Sequence, residues 1–599
     1  MRWSVNRQEQ GYVMKQRQNY LFFAVNVCTA LMMSVIINLS IKVLPYSSTD
    51  AGALVANWKV LSFSFIFKVL LIAADLLIIF QLIKRFVERR SHREKSQGIM
   101  QSEDSVRKQV DKTNGNKVFL RSFLLCIVFW FILFLVLFPG AGMNDTVNGL
   151  MSPYLAGNMQ PFLYQTYVHY IFKFGQLLFH GNGTLAYALL TVIQILFCAF
   201  CVSYSAVWLF RRSLLSEKAS LIYTLYFCLM PIIADYVITI VKDVPFSFAL
   251  LVFIPALYDT IEDCRSEAYD RTLQELPEKM KGRPVICKKW VLLGMSSFII
   301  WFSRSNGKYI IIATILLTLL MVRKNVKKFL IVLLIMLVID KGSSFVLTSL
   351  NPYDCALRES SGVLLNQISA VVAAEGNVSS EDRELIDQIL PYDRWGELYT
   401  PSFIDPLKFS EEFDNDFLND HKSEFLKTWF HLVDNNLEVC VKSYVIHTYG
   451  LWSVMINAPR SYSQSFFTNI HSNVEGFSQW GLWLNEQKAV NIDILPASLN
   501  RKLQSFFISC FSENIRIPAG VMLCILLLLV NISLNFKSCI RKPLLIVLLV
   551  DLLIWGTQMI ATPTSLMFRY SFYMLLTLPV LMILVISAIK SPAGEMERT

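Results

Sequence analysis

Repeated apolar runs of about 20 residues constrain this 599-residue chain more than any other feature. A run of that length forms a helix that can cross the hydrocarbon core of a bilayer, because a helix satisfies its backbone polar groups internally. Hydrophobic residues make up 54% of the chain and charged residues only 17%, which excludes a soluble enzyme and a disordered chain. The chain is therefore predicted to be an α-helical polytopic membrane protein.

The individual runs predict about twelve transmembrane helices. They lie near residues 20–43, 59–83, 118–138, 184–210, 218–240, 243–261, 289–303, 308–322, 328–349, 517–535, 543–561 and 569–589. The first run is long and ends in Ser40-Ile-Lys-Val-Leu-Pro-Tyr46 without a small-residue cleavage site. It is expected to remain as an anchor and not to be a cleaved signal peptide.

Basic residues predict the orientation, because cytoplasmic loops carry an excess of Lys and Arg. With both termini in the cytoplasm, every strong cluster falls on the cytoplasmic side. The clusters lie in residues 2–17, 84–112, 211–212, 279–289, 323–328 and 537–542. The net charge of +10 is then a topology signal that calls for no nucleic-acid partner.

Four regions follow from this reading. Residues 1–117 form a two-span accessory unit and a cytoplasmic linker, 118–349 a transmembrane core, 350–516 an outer domain, and 517–599 the C-terminal transmembrane helices. The outer domain has an ordinary soluble composition and is predicted to be mainly helical, with a capped amphipathic helix at 379–390 and another at 425–433. Spacing alone does not decide whether its residues Cys355 and Cys440 form a disulfide. The pair Cys198 and Cys201 lies inside an apolar span, so a metal or redox role is not expected there.

The predicted outer loops contain the candidate functional residues. Asp145 follows the span that begins near Val118, and residues 158–179 have the polar spacing of a helix lying in the membrane interface. Lys242, Arg304 and Arg569 occupy outer turns, where basic residues are disfavoured. A shared anionic ligand would explain all three.

Glycosyl transfer from a lipid phosphate suits these residue types. A hydroxyl acceptor needs a base, which a carboxylate can provide, and the departing phosphate needs cations, for which Arg offers a matching planar fork. The chain has no glycine-rich phosphate loop for a sugar nucleotide. A polyprenyl-phosphate carrier meets both requirements.

Short motifs in a fixed order also resemble bacterial GT-C-type integral membrane glycosyltransferases, notably an uncharacterised multi-pass group within that superfamily. The similarity extends over residues 118–590, outside the first two spans. Its motifs are Pro139-Gly140 followed by Asp145, Gly157-Asn-Met-Gln-Pro161 with Tyr164, Lys242-Asp-Val-Pro-Phe246, Arg304-Ser-Asn-Gly307, Leu357-Arg-Glu-Ser360, Leu390-Pro391, Leu398-Tyr-Thr-Pro401, Asp405-Pro406 and Arg569-Tyr570.

The resemblance implies a GT-C-like fold and an inverting enzyme of the bacterial cytoplasmic membrane. It would move a monosaccharide from a polyprenyl-phosphate donor to a glycan or protein acceptor of the cell envelope on the outer face. Asp145 is the implied catalytic base or a ligand of a divalent metal; no cofactor is certain. The implied contacts are Lys242, Arg304 and Arg569 to the donor phosphate, and Gln160, Tyr164, Asp243, Asn306, Arg358 and Tyr570 to substrate.

Position 160 departs from the pattern of the relatives, which tend to have His-Pro where this chain has Gln160-Pro161. Gln cannot take up a proton, whereas hydrogen bonding to a sugar remains open to it.

Charged residues inside apolar runs support a rival reading. Asp75, Asp551 and the pair Asp340-Lys341 lie where a charge costs about 2.5–3.5 kcal/mol, so they should face protein or water. Asp340 and Lys341 could neutralise each other, whereas Asp75 and Asp551 could form the proton path of a transporter or a lipid-linked glycan flippase. Against transport stand the large outer domain, the lack of a visible repeat, and the clustering of polar motifs at one rim instead of the midplane. A non-catalytic assembly or polymer-export factor is a third reading.

Overall fold

The computed structural model of the chain describes residues 2–43, 62–96, 104–142, 144–151, 161–263, 288–322, 326–350, 356–455, 494–511, 517–534, 536, 538–561 and 568–590. These segments are almost entirely helical, as the apolar runs and their helical periodicity predict.

The first half of the chain forms the larger part of the helical bundle. Its elements are α1 (Arg2–Val43), α2 (Phe63–Ser96), α3 (Asp104–Val136), β1 (Ala141–Gly142), α4 (Asn144–Met151), α5 (Phe162–Leu178), α6 (Gly183–Arg211), α7 (Glu217–Leu229), α8 (Pro231–Ile238), β2 (Thr239–Ile240), α9 (Asp243–Asp263), α10 (Lys288–Ser303), α11 (Gly307–Val322) and α12 (Val326–Leu350).

The second half contains a helical domain and the last bundle helices. The elements are α13 (Ala356–Ser360), α14 (Gly362–Ala373), α15 (Ser380–Ile389), α16 (Tyr392–Glu397), α17 (Asp405–Lys408), α18 (Asn415–Asp420), α19 (Lys422–Asn435), α20 (Leu437–His447), α21 (Tyr449–Trp452), α22 (Ala497–Phe511), α23 (Ala519–Leu534), α24 (Ser538–Ala561), a 3-10 turn (Phe568–Tyr570) and α25 (Phe572–Lys590).

Eight helices of the described residues are long and apolar enough to cross a membrane, which confirms an α-helical polytopic membrane protein. A ninth span arises if α7 and α8 count as one. The other three predicted spans correspond to α10, α11 and α23, each of 16 residues. Such a helix is about 24 Å long, short of the roughly 30 Å of a hydrocarbon core. The number twelve therefore stays a prediction.

The span predicted at 218–240 is not one straight helix. Its two halves, α7 and α8, are bent by 64° at a break that ends at Pro231. Proline has no N–H to donate, and its ring clashes with the carbonyl four residues earlier, so a helix tends to end there. Pro231 instead begins α8, where the missing N–H costs nothing.

Helix α9 lies at the centre of the bundle, packed against α6, α10, α24 and α25. Its side chains are buried almost throughout, which an apolar helix achieves only among other helices. This position brings the N-terminus of α9 to the point where several loops meet.

A short parallel strand pair joins two of these loops. Ala141 of β1 pairs with Thr239 of β2, and Gly142 pairs with Ile240. The approach is close at Gly140, which has a φ of +122° and where a Cβ would lie 2.5 Å from the hydroxyl oxygen of Thr191. Only glycine adopts this backbone without strain, so the loop after α3 is seated firmly on the turn before α9.

Residues 356–455 form a helical domain with its own core. Buried apolar residues of α14, α15, α16, α18 and α19 pack together in it. The predicted capped helix is confirmed as α15, since the Ser379 side chain accepts the backbone N–H of Asp382 at 3.1 Å. The second predicted helix is confirmed as α19.

The helical domain rests on one end of the bundle. Tyr449 donates to the carbonyl of Ser40 at 3.4 Å, Tyr444 donates to the carbonyl of Met559 at 3.3 Å, and the Gly520 N–H donates to the carbonyl of Ser453 at 2.9 Å. The last residues of α1 and α24 and the first of α23 therefore lie at the same end. We call the loops gathered there, residues 137–142, 144–151, 239–243, 304–307 and 568–571, the rim.

The opposite end of the bundle has a charge cluster around Arg212. This guanidinium contacts Asp259, and its Nη2 lies 2.5 Å from Glu262 Oε2. The Trp208 indole N–H also donates to Asp259, at 3.0 Å. Arg212 belongs to one of the basic clusters predicted to be cytoplasmic.

Candidate functional site

Asp243, the first residue of α9, is the centre of the rim. Its side chain is completely buried, and its Oδ1 forms an ion pair with Nη1 of Arg304. On the other side, Nε of Arg569 lies 4.0 Å from Oδ2. The N-terminus of a helix favours a carboxylate, and two guanidinium groups favour it further. Two cations thus lie beside one buried carboxylate.

Aromatic rings hold both arginines in place. The guanidinium carbons of Arg304 and Arg569 lie 5.2 and 5.1 Å from the centroid of the Tyr570 ring, and Arg304 is 5.4 Å from that of Phe246. Such cation–π contacts strengthen when they are desolvated, and Arg304 is only 8% exposed. The Gln558 amide fixes the 3-10 turn by donating to the carbonyl of Tyr570 at 2.8 Å. The two positive charges are therefore pre-positioned.

The helix that contains Asp145 is tied to the same turn. The hydroxyl of Thr146 donates to the carbonyl of Ile240, and the hydroxyl of Tyr164 lies 3.4 Å from the same oxygen. Ile240 ends β2, immediately before the segment with Lys242 and Asp243. The structure describes the backbone of Asp145 within α4, whereas its side chain lies outside the description, as does all of Gln160.

Asn306 and Lys242 also lie in the rim. Asn306 donates to the Thr557 hydroxyl of α24 at 2.9 Å, which attaches the turn between α10 and α11 to a third helix. Lys242 is half-buried beside Asp243. The structure therefore brings seven of the ten predicted site residues into one region: Tyr164, Lys242, Asp243, Arg304, Asn306, Arg569 and Tyr570.

Arg358 is placed differently, inside the helical domain. Its Nε lies 3.6 Å from Oε1 of Glu359 and its guanidinium is 5.4 Å from the Phe409 ring. Its predicted role at the substrate would depend on the cluster of which Glu359 is a part.

That cluster surrounds a buried lysine. Nζ of Lys408, whose side chain is 1% exposed, lies 2.7 Å from Glu359 Oε2 and 3.4 Å from Asp405 Oδ1. Burial alone would lower the pKa of Lys408, but the two carboxylates raise it above its ordinary value. Burial raises the pKa of the Asp405 carboxyl, and the charges of Lys408 and of Arg569 at the rim oppose that rise only in part. Asp405 thus links the helical domain electrostatically to the rim.

Asp405, Lys408 and Glu359 were not predicted to be site residues. The spacing of Asp405 and Lys408, three apart, is the one local signal of their contact. The partner Glu359 is distant in the chain, and no local pattern connects it to Lys408.

The charges inside apolar runs have separate environments. Asp551 is completely buried in α24, with its Oδ2 2.5 Å from the Thr577 hydroxyl, whereas Asp75 is exposed on α2. Asp340 accepts the Trp301 indole N–H at 3.0 Å and makes no ion pair with exposed Lys341 in the described part of the chain. The expectation that Asp340 and Lys341 neutralise each other is therefore not met, since adjacent helical residues point in different directions.

The described cysteines are thiols. Cys440 is a buried free thiol, and Cys355 lies outside the described residues. Cys198 and Cys201 are buried in α6. Among the residues that the structure describes, no group of three or more His, Cys, Asp or Glu could hold a metal ion. The side chain of Asp145 is outside that search, so a divalent metal there stays an open prediction.

The fold and the site define a polytopic helical membrane protein with a buried Arg–Asp–Arg cluster at one end of its bundle. Residues 168–599 match the model of DUF6020, a family of unknown function, and the chain belongs to this family. No curated protein and no solved structure matches the chain. The family match includes Asp243, Arg304, Arg358 and Arg569 and begins after Asp145.

Proposed function

We propose that the chain is a GT-C-type glycosyltransferase that moves a monosaccharide from a polyprenyl-phosphate donor to a cell-envelope acceptor on the outer face of the bacterial cytoplasmic membrane. The observation that carries this proposal is the convergence of Arg304 and Arg569 on the single carboxylate of Asp243. The two guanidinium groups lie at one end of the bundle, where an anionic headgroup on a long apolar tail can reach them.

The two arginines supply what a departing phosphate needs. A guanidinium presents parallel N–H donors that match phosphate oxygens, and a pre-positioned cation stabilises charge that develops during the reaction. Asp243 holds both arginines near one point while the donor is absent. Lys242, on the same turn, adds a third positive charge.

Asp145 is the proposed general base. It would take the proton of the acceptor hydroxyl while the acceptor oxygen forms a bond to the anomeric carbon. The bond from that carbon to the phosphate oxygen breaks, and polyprenyl phosphate leaves as an anion beside the arginines. One displacement of this kind inverts the anomeric centre.

Helix α5 offers a surface for the polyprenyl chain. Tyr164, Val168 and Phe172 are buried on one face, whereas Phe174 and Leu177 are exposed on another. An amphipathic helix of this kind suits the membrane interface. The acceptor would be selected by the domain predicted at 350–516.

Transport is the second candidate, and buried Asp551 favours it. A carboxylate enclosed in the bundle is expensive and often marks a proton or ion path. In this structure, however, Asp75, its proposed partner in a proton path, is exposed on the surface of α2, away from buried Asp551.

One reconstitution separates the two functions. Purified protein in liposomes would receive a polyprenyl-phosphate sugar labelled in the sugar, together with an envelope extract as acceptor. A transferase releases polyprenyl phosphate in step with labelled acceptor, whereas a flippase moves intact donor across the bilayer. Bond cleavage that is equal in wild type and in the Arg304→Ala, Arg569→Ala double variant would show that the arginines only anchor the membrane edge.

A further inference from the structure

Helix α12 exposes a charge within an apolar surface. Only Phe329 and Met336 of this helix are buried, on one face. The opposite face is an apolar stripe of Leu334, Val338 and Phe345, which are 61, 63 and 75% exposed. Lys341 lies in that stripe, exposed and without an ion pair to any residue that the structure describes. A charge in this position is costly in lipid unless something neutralises it.

Helix α2 has the complementary feature. Its exposed stripe contains Phe67, Leu71, Ile78 and Leu82, each between 55 and 60% exposed. Asp75 lies in the middle of that stripe and is exposed. Within the described ranges Asp75 has no hydrogen bond or ion pair. One chain thus exposes an acid on one membrane helix and a base on another.

The two charges lie at similar depths. Asp75 is twelve residues from Phe63, where α2 begins, and Lys341 is nine residues from Leu350, where α12 ends. At a rise of 1.5 Å per residue these offsets are about 18 and 14 Å. Both are measured from the end that faces the helical domain, and a lysine side chain spans the difference.

Both helices are connected to α24 by packing. α2 packs into a cluster that includes Leu552 and Trp555 of α24. α12 packs on α11, which in turn packs on α24. A twofold contact between copies can therefore place α2 of one copy against α12 of the other on both sides of the axis.

We infer that a second copy of this chain covers these stripes, with Lys341 of each copy paired to Asp75 of the other. The charge complementarity selects a second copy, because each copy supplies the group that the other lacks. The inference does not depend on the proposed reaction.

Cross-linking of the full-length protein in liposomes tests the pairing. Two differently tagged forms, Asp75→Cys and Lys341→Cys, are co-expressed and treated with a short thiol cross-linker. The expected product joins the two tags. Leu70→Cys and Ile335→Cys are matched controls, because both positions are exposed on the same helices but point away from the stripes. A product that is no stronger for the 75–341 pair than for the controls overturns the inference.

Exchange of the two charges is the second test of the pairing. Asp75→Lys and Lys341→Asp should each weaken dimerisation in nanodiscs by about threefold to thirtyfold, given the usual strength of polar contacts between membrane helices. The double variant should regain most of the loss, which also guards against a fold defect. If the wild type is a monomer and Lys341→Met makes it more stable, the lysine only snorkels to the interface and the inference is wrong. Capture of a different membrane protein would also reject a second copy as the partner.

Discussion

Each end of the bundle contains a buried or half-buried cluster of charged side chains, and the two clusters have opposite ratios of acids to arginines. At one end, Arg212 is shared by two acids, Asp259 and Glu262. At the rim, Asp243 is shared by two arginines, Arg304 and Arg569. Aromatic rings support the cations at both ends, with Arg212 5.0 Å from the Trp208 ring and Arg304 5.2 Å from the Tyr570 ring. The difference lies in the ratio of the paired groups: two acids beside one arginine at one end, and two arginines beside one acid at the rim.

On the proposed function, this difference separates an anchor from a binding site. Arg212 is neutralised by its own chain, and its side chain is 28% exposed, so water completes its solvation. Such a partly solvated cluster suits a membrane edge. At the rim, the two guanidinium groups lie among side chains that are nearly dry, where electrostatic attraction is stronger. On the proposed function, we expect a phosphate to bind at the rim and not beside Arg212, which already contacts two acids.

The largest effect is expected on stability, from Asp243→Asn. Removing one partner of a buried ion pair costs about 3–5 kcal/mol, because the remaining charge stays uncompensated. Unfolding of the purified variant in detergent measures this loss. Asp259→Asn is the matched control at the other end and should cost less, since Arg212 keeps Glu262 and is partly solvated. Equal losses at the two ends would remove the distinction between them.

The next largest effect is expected on transfer, from Asp145→Asn. Asn keeps the size and hydrogen bonding of Asp but loses its basicity, so transfer should fall by about a hundredfold or more, equivalent to about 2.7 kcal/mol. Expression and donor binding should survive. If Asp145 instead holds a divalent metal, chelators should inhibit the wild type. Near-normal transfer by purified Asp145→Asn would remove this residue from the mechanism.

Donor binding should respond to cations at the rim and not to the cation at the other end. Arg569→Ala should weaken binding of a polyprenyl phosphate by about 1.5–3 kcal/mol, the value of hydrogen bonds to charged groups, and Arg569→Lys should recover part of it. Arg212→Ala is the control and should leave affinity unchanged. The affinity is measured by titration of the lipid into nanodiscs that contain the protein. A loss of affinity in Arg212→Ala would contradict the comparison between the two ends.

Predictions from the sequence were most accurate where they depend on residues that are close together in the chain. Hydropathy located the membrane helices, and the N-cap at Ser379 located α15, because both depend on neighbouring residues. Basic residues in disfavoured loops predicted that Arg304 and Arg569 share a surface, although the two are far apart in the chain. The break at Pro231 was also a local signal, but the apolar run around it concealed it.

Partners that depend on tertiary packing were beyond such reasoning. Asp243 was predicted to contact substrate, but nothing in the sequence indicated that its carboxylate lies between both arginines. Arg358 was grouped with the site by its motif, whereas its immediate partner is its neighbour Glu359. The contact of Lys408 with Glu359 joins helices whose relative position is set only by the core of the domain.

The smallest effect is expected from pH, through Asp405. Its folded-state pKa is raised, first by burial, so the folded domain binds a proton more tightly than the unfolded chain does. This group should therefore add stability as pH falls from above its folded pKa towards the unfolded value of about 3.9. Lys408 acts in the opposite range, because its raised pKa gives stability that is complete below about 10.4 and lost only as pH rises through the folded value.

Asp405→Asn isolates this contribution. Thermal unfolding of wild type and variant is measured from neutral pH down to about 4, near the pKa of an unfolded Asp. The difference in stability between the two proteins is then due to this carboxyl, since the other acids titrate in both. Relative to the variant, the wild type should gain stability on acidification. Because Arg569 acts on Asp405 from the rim, Arg569→Ala should enlarge that gain by removing a charge that favours the ionised form. An unchanged gain in Arg569→Ala would mean that the helical domain and the rim are electrostatically independent.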